Sequence, residues 1–151
     1  MCLTLKKNES FLIAKEDITV YKILRKSIFH HDETGDNIYY YTPYAGMEVK
    51  VCSGFVIKPQ KLLLKETLKF EIERGDRYFS LGLIHAYQTT EDFERRFKST
   101  CYYFSPFYEK ERFQCKFILV ECYIPKGEYY ILGEENDIAA SELVVRKVVS
   151  D

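Results

Sequence analysis

The chain has 151 residues, 46% of them hydrophobic, which suits one domain with an ordinary core rather than two small ones. Twenty-two basic residues against 23 acidic leave a net charge of −1, so no overall field draws the protein onto nucleic acid or an anionic membrane. With 13 Tyr, 11 Phe and no Trp, the composition favours strands, because rings pack well on a pleated, half-buried surface.

The amino terminus, Met1-Cys2-Leu3-Thr4-Leu5-Lys6-Lys7, reaches charge too soon for a secretory signal, and no later apolar run is long enough to span a bilayer. Residues 1–14 are expected to form a peripheral arm of a single domain covering 1–151. The five cysteines are odd in number, and three sit in apolar runs where a reduced thiol behaves as a small hydrophobe, so a reducing cytoplasm is expected. Cys115 and Cys122 are seven apart and no C-x-x-C pair occurs, so no metal site is expected.

Ile18 to Arg25 reads as a first strand, with Tyr21 and Ile23 facing opposite Val20 and Leu24. From Ser27 to Gly46 the chain reads as irregular, with His30-His31-Asp32-Glu33 in a solvated loop, a Gly35-Asp36-Asn37 turn, and Tyr39, Tyr40, Tyr41 and Tyr44 along a packed strand edge. Met47 to Ile57 alternates, but Gly54 and Pro59 interrupt any long ladder. Leu62 to Glu73 fits a helical face or an alternating strand, and Arg74-Gly75-Asp76 reads as a turn.

Gly82 to Phe97 reads as a buried strand turning into a helix over Thr90 to Lys98. Thr89 stands at the N-cap, Asp92 at capping-box distance, and Phe93 and Phe97 on one face. Phe113 to Ile124 reads as the central strand, its second half buried on both sides. Pro125-Lys126-Gly127 ends it, Glu128 to Leu132 follows as a short strand, and after an acidic turn the last strand runs from Glu142 to Val149. These elements predict an α+β protein, β-rich, with a central antiparallel or mixed sheet and one or two short helices.

His85 and Tyr87 share a strand face beside a helix amino terminus and could present an imidazole and a phenol at a cleft. Glu121 shares a face with Phe117, Leu119 and Tyr123; buried there, its carboxylate needs a cation or donor opposite it, while the commoner arrangement has it emerge into water at the strand end before Pro125. His85, Tyr87 and Glu121 are the expected ligand-binding residues. The Walker loop, G-x-G-x-x-G, the G-x-S-x-G elbow, H-E-x-x-H and the calcium loop are all missing from the sequence.

The run Ala14 to Lys22, then Gly82-Leu83-Ile84-His85-Ala86-Tyr87, Ile124-Pro125-Lys126-Gly127 and Ala139-Ala140-Ser141-Glu142 resembles small bacterial and phage-associated domains of unknown function. That likeness implies a shared fold. In chain order, Arg25, the His85 to Thr90 stretch and Glu142 also resemble ADP-ribosyltransferase-like folds, which implies NAD as substrate and Glu142 as the catalytic carboxylate, with Arg25, His85 and Tyr87 binding the dinucleotide. The sequence departs from that pattern at Ala140, where the family has Glu or Gln two residues before the catalytic carboxylate. The expected function is a non-catalytic module in the cytoplasm that binds a protein or small ligand without a cofactor, nucleic acid or membrane, with a homodimer among its states. The enzyme is the alternative.

Overall fold

The computed structural model describes residues 3–4, 11–31, 33, 35–43, 46–59, 78–79, 83–97 and 113–150. Its strands in chain order are β1 (Leu3–Thr4), β2 (Leu12–Ile13), β3 (Ile18–His31), β4 (Gly35–Tyr41), β5 (Val56–Ile57), β6 (Tyr78–Phe79), β7 (Ile84–Tyr87), β8 (Phe113–Ile124), β9 (Tyr129–Leu132), β10 (Asp137–Ala140) and β11 (Leu143–Ser150). Among the described residues β1 pairs with β6 alone. The remaining nine form one antiparallel sheet in the order β2-β9-β10-β7-β3-β8-β11-β5, with β4 attached to β3.

The α+β expectation is therefore corrected to a β-rich fold built on one large antiparallel sheet. Among the described residues the one helical element is a turn begun by Glu91 and Asp92 and continued as a π-helical segment, Phe93–Phe97. Its Phe93 is driven down onto the sheet, and a segment this short is held by that burial rather than by helix propensity. Leu62 to Glu73, the other helical candidate, and the Arg74-Gly75-Asp76 turn lie outside the described residues. None of the described helical residues forms a helix long and apolar enough to cross a membrane.

β3 is the spine. Along one edge it pairs with β8 from Ile18↔Ile124 to Phe29↔Phe113. Along the other it meets β7 at Tyr21↔Tyr87, then exchanges that partner for β4 from Arg25↔Tyr41 to His31↔Gly35. The region from Ser27 onward, expected to be irregular, is thus a strand hairpin. Among the described residues, pairing with β4 alone, at His30↔Asp36 and His31↔Gly35, holds the polar His30-His31 segment extended, where its local sequence does not. Gly35, with φ of +79°, takes the left-handed conformation at the start of β4.

The sheet cannot be flat. β8 and β9 stand four places apart in strand order, about 19 Å in a flat sheet at roughly 4.8 Å per strand. Yet they are joined by Pro125-Lys126-Gly127-Glu128, closed by a hydrogen bond from the Glu128 amide to the Pro125 carbonyl at 3.1 Å. The sheet must curl until β9 returns to β8. The β2–β3 connection clamps that return: Ala14 N donates to Glu128 O and Gly127 N to Ala14 O, both at 2.8 Å, and Lys126 N donates to an Asp17 carboxylate oxygen at 2.9 Å.

Curling gives the sheet an inside and an outside. Inside lies the main core: Val20, Leu24, Ile118, Val120, Cys122 and Ile124 from the spine pair, with Ile84, Ala86, Ile138, Ala140, Leu143 and Val145 from the other strands. Burial of each large aliphatic chain here stabilises by about 1.5–3 kcal/mol. Outside, under the π-helical turn, Ile23, Tyr87, Phe93 and Leu119 form a smaller core with Tyr21 and Phe117 against it. The two-sided burial expected for the second half of β8 is present, and its face assignments hold.

Candidate functional site

The outer face of β3 carries most of the residues singled out by sequence. Odd-numbered positions of β3 point to this face, so Arg25 lies on the same side as Tyr21 and Ile23, opposite Phe117 on β8 and Tyr41 on β4. His85 and Tyr87 point the same way from β7, and Glu121 does so from β8 opposite Tyr21. Tyr87 is buried as a wall of the outer core, whereas His85 is half-buried. Glu142 lies elsewhere. Val144, two residues on, pairs with Tyr123, six positions along β8 from the Phe117 that pairs with Arg25, a run of about 20 Å. The register sets Arg25 and Glu142 toward opposite ends of β8.

Glu121 is half-buried near the end of β8, and Arg146 approaches it. A register shift between Val145 and Lys147 in β11 turns Arg146 toward it at 3.9 Å. Arg146 Nη1 also donates to Thr19 Oγ1 at 2.8 Å, and its guanidinium lies 4.6 Å from the Tyr123 ring centroid. The group is fixed by three neighbours at the surface, where such an ion pair contributes little by itself.

The corner between β7 and the helical turn forms one residue later than its sequence suggests. Glu94 N donates to Thr90 O at 3.1 Å, which places Thr90 rather than Thr89 at the start of the turn. Asp92 is buried and accepts from Arg95 Nη2 at 2.9 Å. The side chain of Phe97 lies outside the described ones.

Two features escaped the sequence. The first is a polar and aromatic patch beyond the outer core. The Arg25 guanidinium lies 5.5 Å from the Tyr41 ring centroid, Tyr41 stacks on Tyr39 at 6.4 Å, and Tyr39 meets Phe29 edge-on at 5.8 Å. Within it, Arg25 Nε and Ser27 Oγ are buried and make no hydrogen bond among the described residues. Ser27 is 1% exposed. Partial burial, then the Glu48 carboxylate and Tyr39, raise the Tyr41 pKa above its ordinary value against the opposing pull of Arg25, which keeps the phenol protonated and able to donate. The signal available in sequence was the i, i+2 spacing of Arg25, Ser27 and Phe29, but it has meaning only once the strand is known to continue past Arg25.

The second feature is Lys22. Its even position puts it among Val20 and Leu24 on the inner face, 9% exposed, with Nζ donating to the His85 carbonyl at 2.6 Å. That carbonyl lies where β7 parts from β3, so the lysine supplies a donor where the strand ladder stops. Burial pulls the Lys22 pKa down to about 8, with the neighbouring Cys122 acting weakly the other way. Burial also pushes the Cys122 thiol up to about 12, so it stays protonated and unreactive. Cys52, by contrast, is an exposed free thiol. Among the described residues no group of three or more His, Cys, Asp or Glu side chains could hold a metal ion.

Comparison with protein-family models, with curated proteins and with solved structures finds no match to this chain.

Proposed function

We propose that the protein is a non-catalytic binding module whose ligand sits on the Arg25–Ser27 patch of the β3–β4 hairpin. The observation that carries this reading is the pair of buried, unbonded polar atoms, Arg25 Nε and Ser27 Oγ, on one strand face. Native interiors satisfy nearly all such groups, and each one left bare costs about 1–3 kcal/mol. A ligand whose acceptors reach both atoms as the covering side chains part removes that penalty, and the rings of Tyr39, Tyr41 and Phe29 give it an apolar wall. The separation of Arg25 from Glu142 and the protonated state of Cys122 favour binding over group transfer. His85 and Tyr87 flank the same face and act as its structural support. The exposed thiol of Cys52 suits a reducing cytoplasm.

The test is a thermal-shift screen against carboxylates, nucleotides, dinucleotides and other small metabolites, repeated with Ser27→Ala and Arg25→Met. A ligand at about one hundred times its dissociation constant adds roughly 2.7 kcal/mol. Ser27→Ala is expected to leave the free protein as stable as before, or up to about 1 kcal/mol more stable, since it deletes an unbonded hydroxyl. It should also lose the ligand response. A response that survives both substitutions places the ligand elsewhere, and a Ser27→Ala protein that is clearly destabilised without ligand makes the hydroxyl structural.

A further inference from the structure

The charges, donors and rings of the Arg25–Ser27 patch also define the chemistry of what it can hold. Arg25 carries a fixed positive charge, and no carboxylate among the described residues forms an ion pair with it: Asp92 pairs with Arg95, and Glu121 with Arg146. Its neighbour across the ladder is the Tyr41 ring, 5.5 Å from the guanidinium carbon. That phenol does not neutralise the cation, because partial burial and the Glu48 carboxylate hold it protonated. Lys26, next in sequence, points to the opposite face of the sheet, toward Tyr40 and Lys116. On β8, the residue opposite Arg25 is the uncharged Phe117. The patch therefore presents a single uncompensated positive charge.

We propose that the occupant is a monocarboxylate with a flat apolar body, an arylcarboxylic acid in its ionised form. The inference rests on the ligand lying at this patch. A single cation takes a single negative charge, whereas a phosphate monoester brings about −1.5 to −2 at neutral pH. The Glu48 carboxylate, close enough to act on Tyr41, opposes any second negative charge. The donors agree with this count. Arg25 Nε and Ser27 Oγ are the unbonded groups, one for each carboxylate oxygen, and the Nε edge of a guanidinium matches the plane of a carboxylate. The two residues stand at i and i+2 on one strand face, about 7 Å apart along the chain. A carboxylate with a hydrogen bond of about 2.9 Å on each side fits between groups so placed. The third oxygen of a phosphate or sulfonate would lie against aromatic rings without a donor. The body is set by those rings. Tyr39 and Tyr41 stack with an interplanar angle of 28° and form a flat surface for another ring. Ser27 is 1% exposed and Tyr39 38%, so the carboxylate enters beneath as the covering side chains part, while the ring stays at the surface along Tyr39.

Isothermal titration calorimetry of the full chain with trans-cinnamate, cinnamamide, phenyl phosphate and acetate separates charge, donor count and body. Cinnamate is expected to bind about tenfold or more tightly than each of the other three. Ser27→Ala and Arg25→Lys are each expected to weaken cinnamate about tenfold or more, with unchanged circular-dichroism spectra, since the lysine keeps the charge but loses the planar fork. No heat from cinnamate up to about 10 mM overturns the proposal. Cinnamamide, phenyl phosphate or acetate binding as tightly as cinnamate overturns it as well; where that binding is lost in Ser27→Ala, the patch remains the site and only the carboxylate class falls. Cinnamate affinity unchanged by both substitutions overturns the class and removes the ligand from the patch.

Discussion

Lys22 poses the sharpest question at the scale of one residue, because a charge in the main core works against folding. Its pKa is about 8 in the folded protein against an ordinary 10.5. Between those values the unfolded chain holds more protons than the folded one, so stability rises with pH across that window. Below pH 8 the buried ammonium costs about 3 kcal/mol relative to its neutral form, the shift converted at about 1.4 kcal/mol per unit. Urea denaturation of the wild type and Lys22→Met at matched pH values is expected to show the wild type gaining about 3 kcal/mol on the variant from below pH 8 to above pH 10.5. A constant difference across that range would mean that the amine is solvated. The hydrogen bond from Nζ to the His85 carbonyl gives the buried amine an acceptor where β3 changes partners. Sequence contained the hint, a lysine at an even position between Val20 and Leu24, but a lysine on a strand is ordinarily read as solvent-facing.

Among the elements, the Pro125–Glu128 turn determines the curl. Gly127 sits at φ of +91°, and a Cβ added there would meet nothing within 4 Å, so substitution is penalised by backbone conformation alone. Gly127→Ala is expected to lower stability by about 1–2 kcal/mol in urea denaturation. A neutral result would mean that the turn relaxes freely and does not hold β9 against β8. This turn, β8 with its two buried faces, β9 and β11 were legible because proline, glycine and strict alternation mark them locally. β2, β10 and the second half of β3 were not. Leu12–Ile13 and Asp137–Ala140 are too short to show a period, and β3 past Ser27 is polar enough to pass for a loop until β4 and β8 pair with it. The helical turn was legible in place but not in kind: residues 91–97 are helical where helical spacing predicts it, but the described segment Phe93–Phe97 has π geometry, with Phe93 packed on the sheet.

At the scale of the whole molecule, the two cores formed by the described residues share the same two strands. Ile118 faces the inner core and Leu119, its neighbour on β8, the outer one. Ile118→Ala and Leu119→Ala are each expected to cost about 2–5 kcal/mol. Since neither core exists without β3 and β8, tyrosine fluorescence and far-ultraviolet circular dichroism should report one coincident unfolding midpoint in each variant. Separate midpoints in Leu119→Ala would show that the outer core melts as its own unit. By itself the sequence determined a β-rich composition, the central strand with its two faces, and the sharp turn after it. These rest on periodicity and on residue types with fixed conformational requirements, all of them local. The tertiary structure decided that the sheet curls, that β3 serves three partners, that Arg25 and Ser27 bury unbonded atoms among aromatic rings, and that Arg25 and Glu142 stand apart. Those depend on which distant segments pair, and the free energy of that choice lies in burial shared across the whole sheet rather than in any stretch of chain.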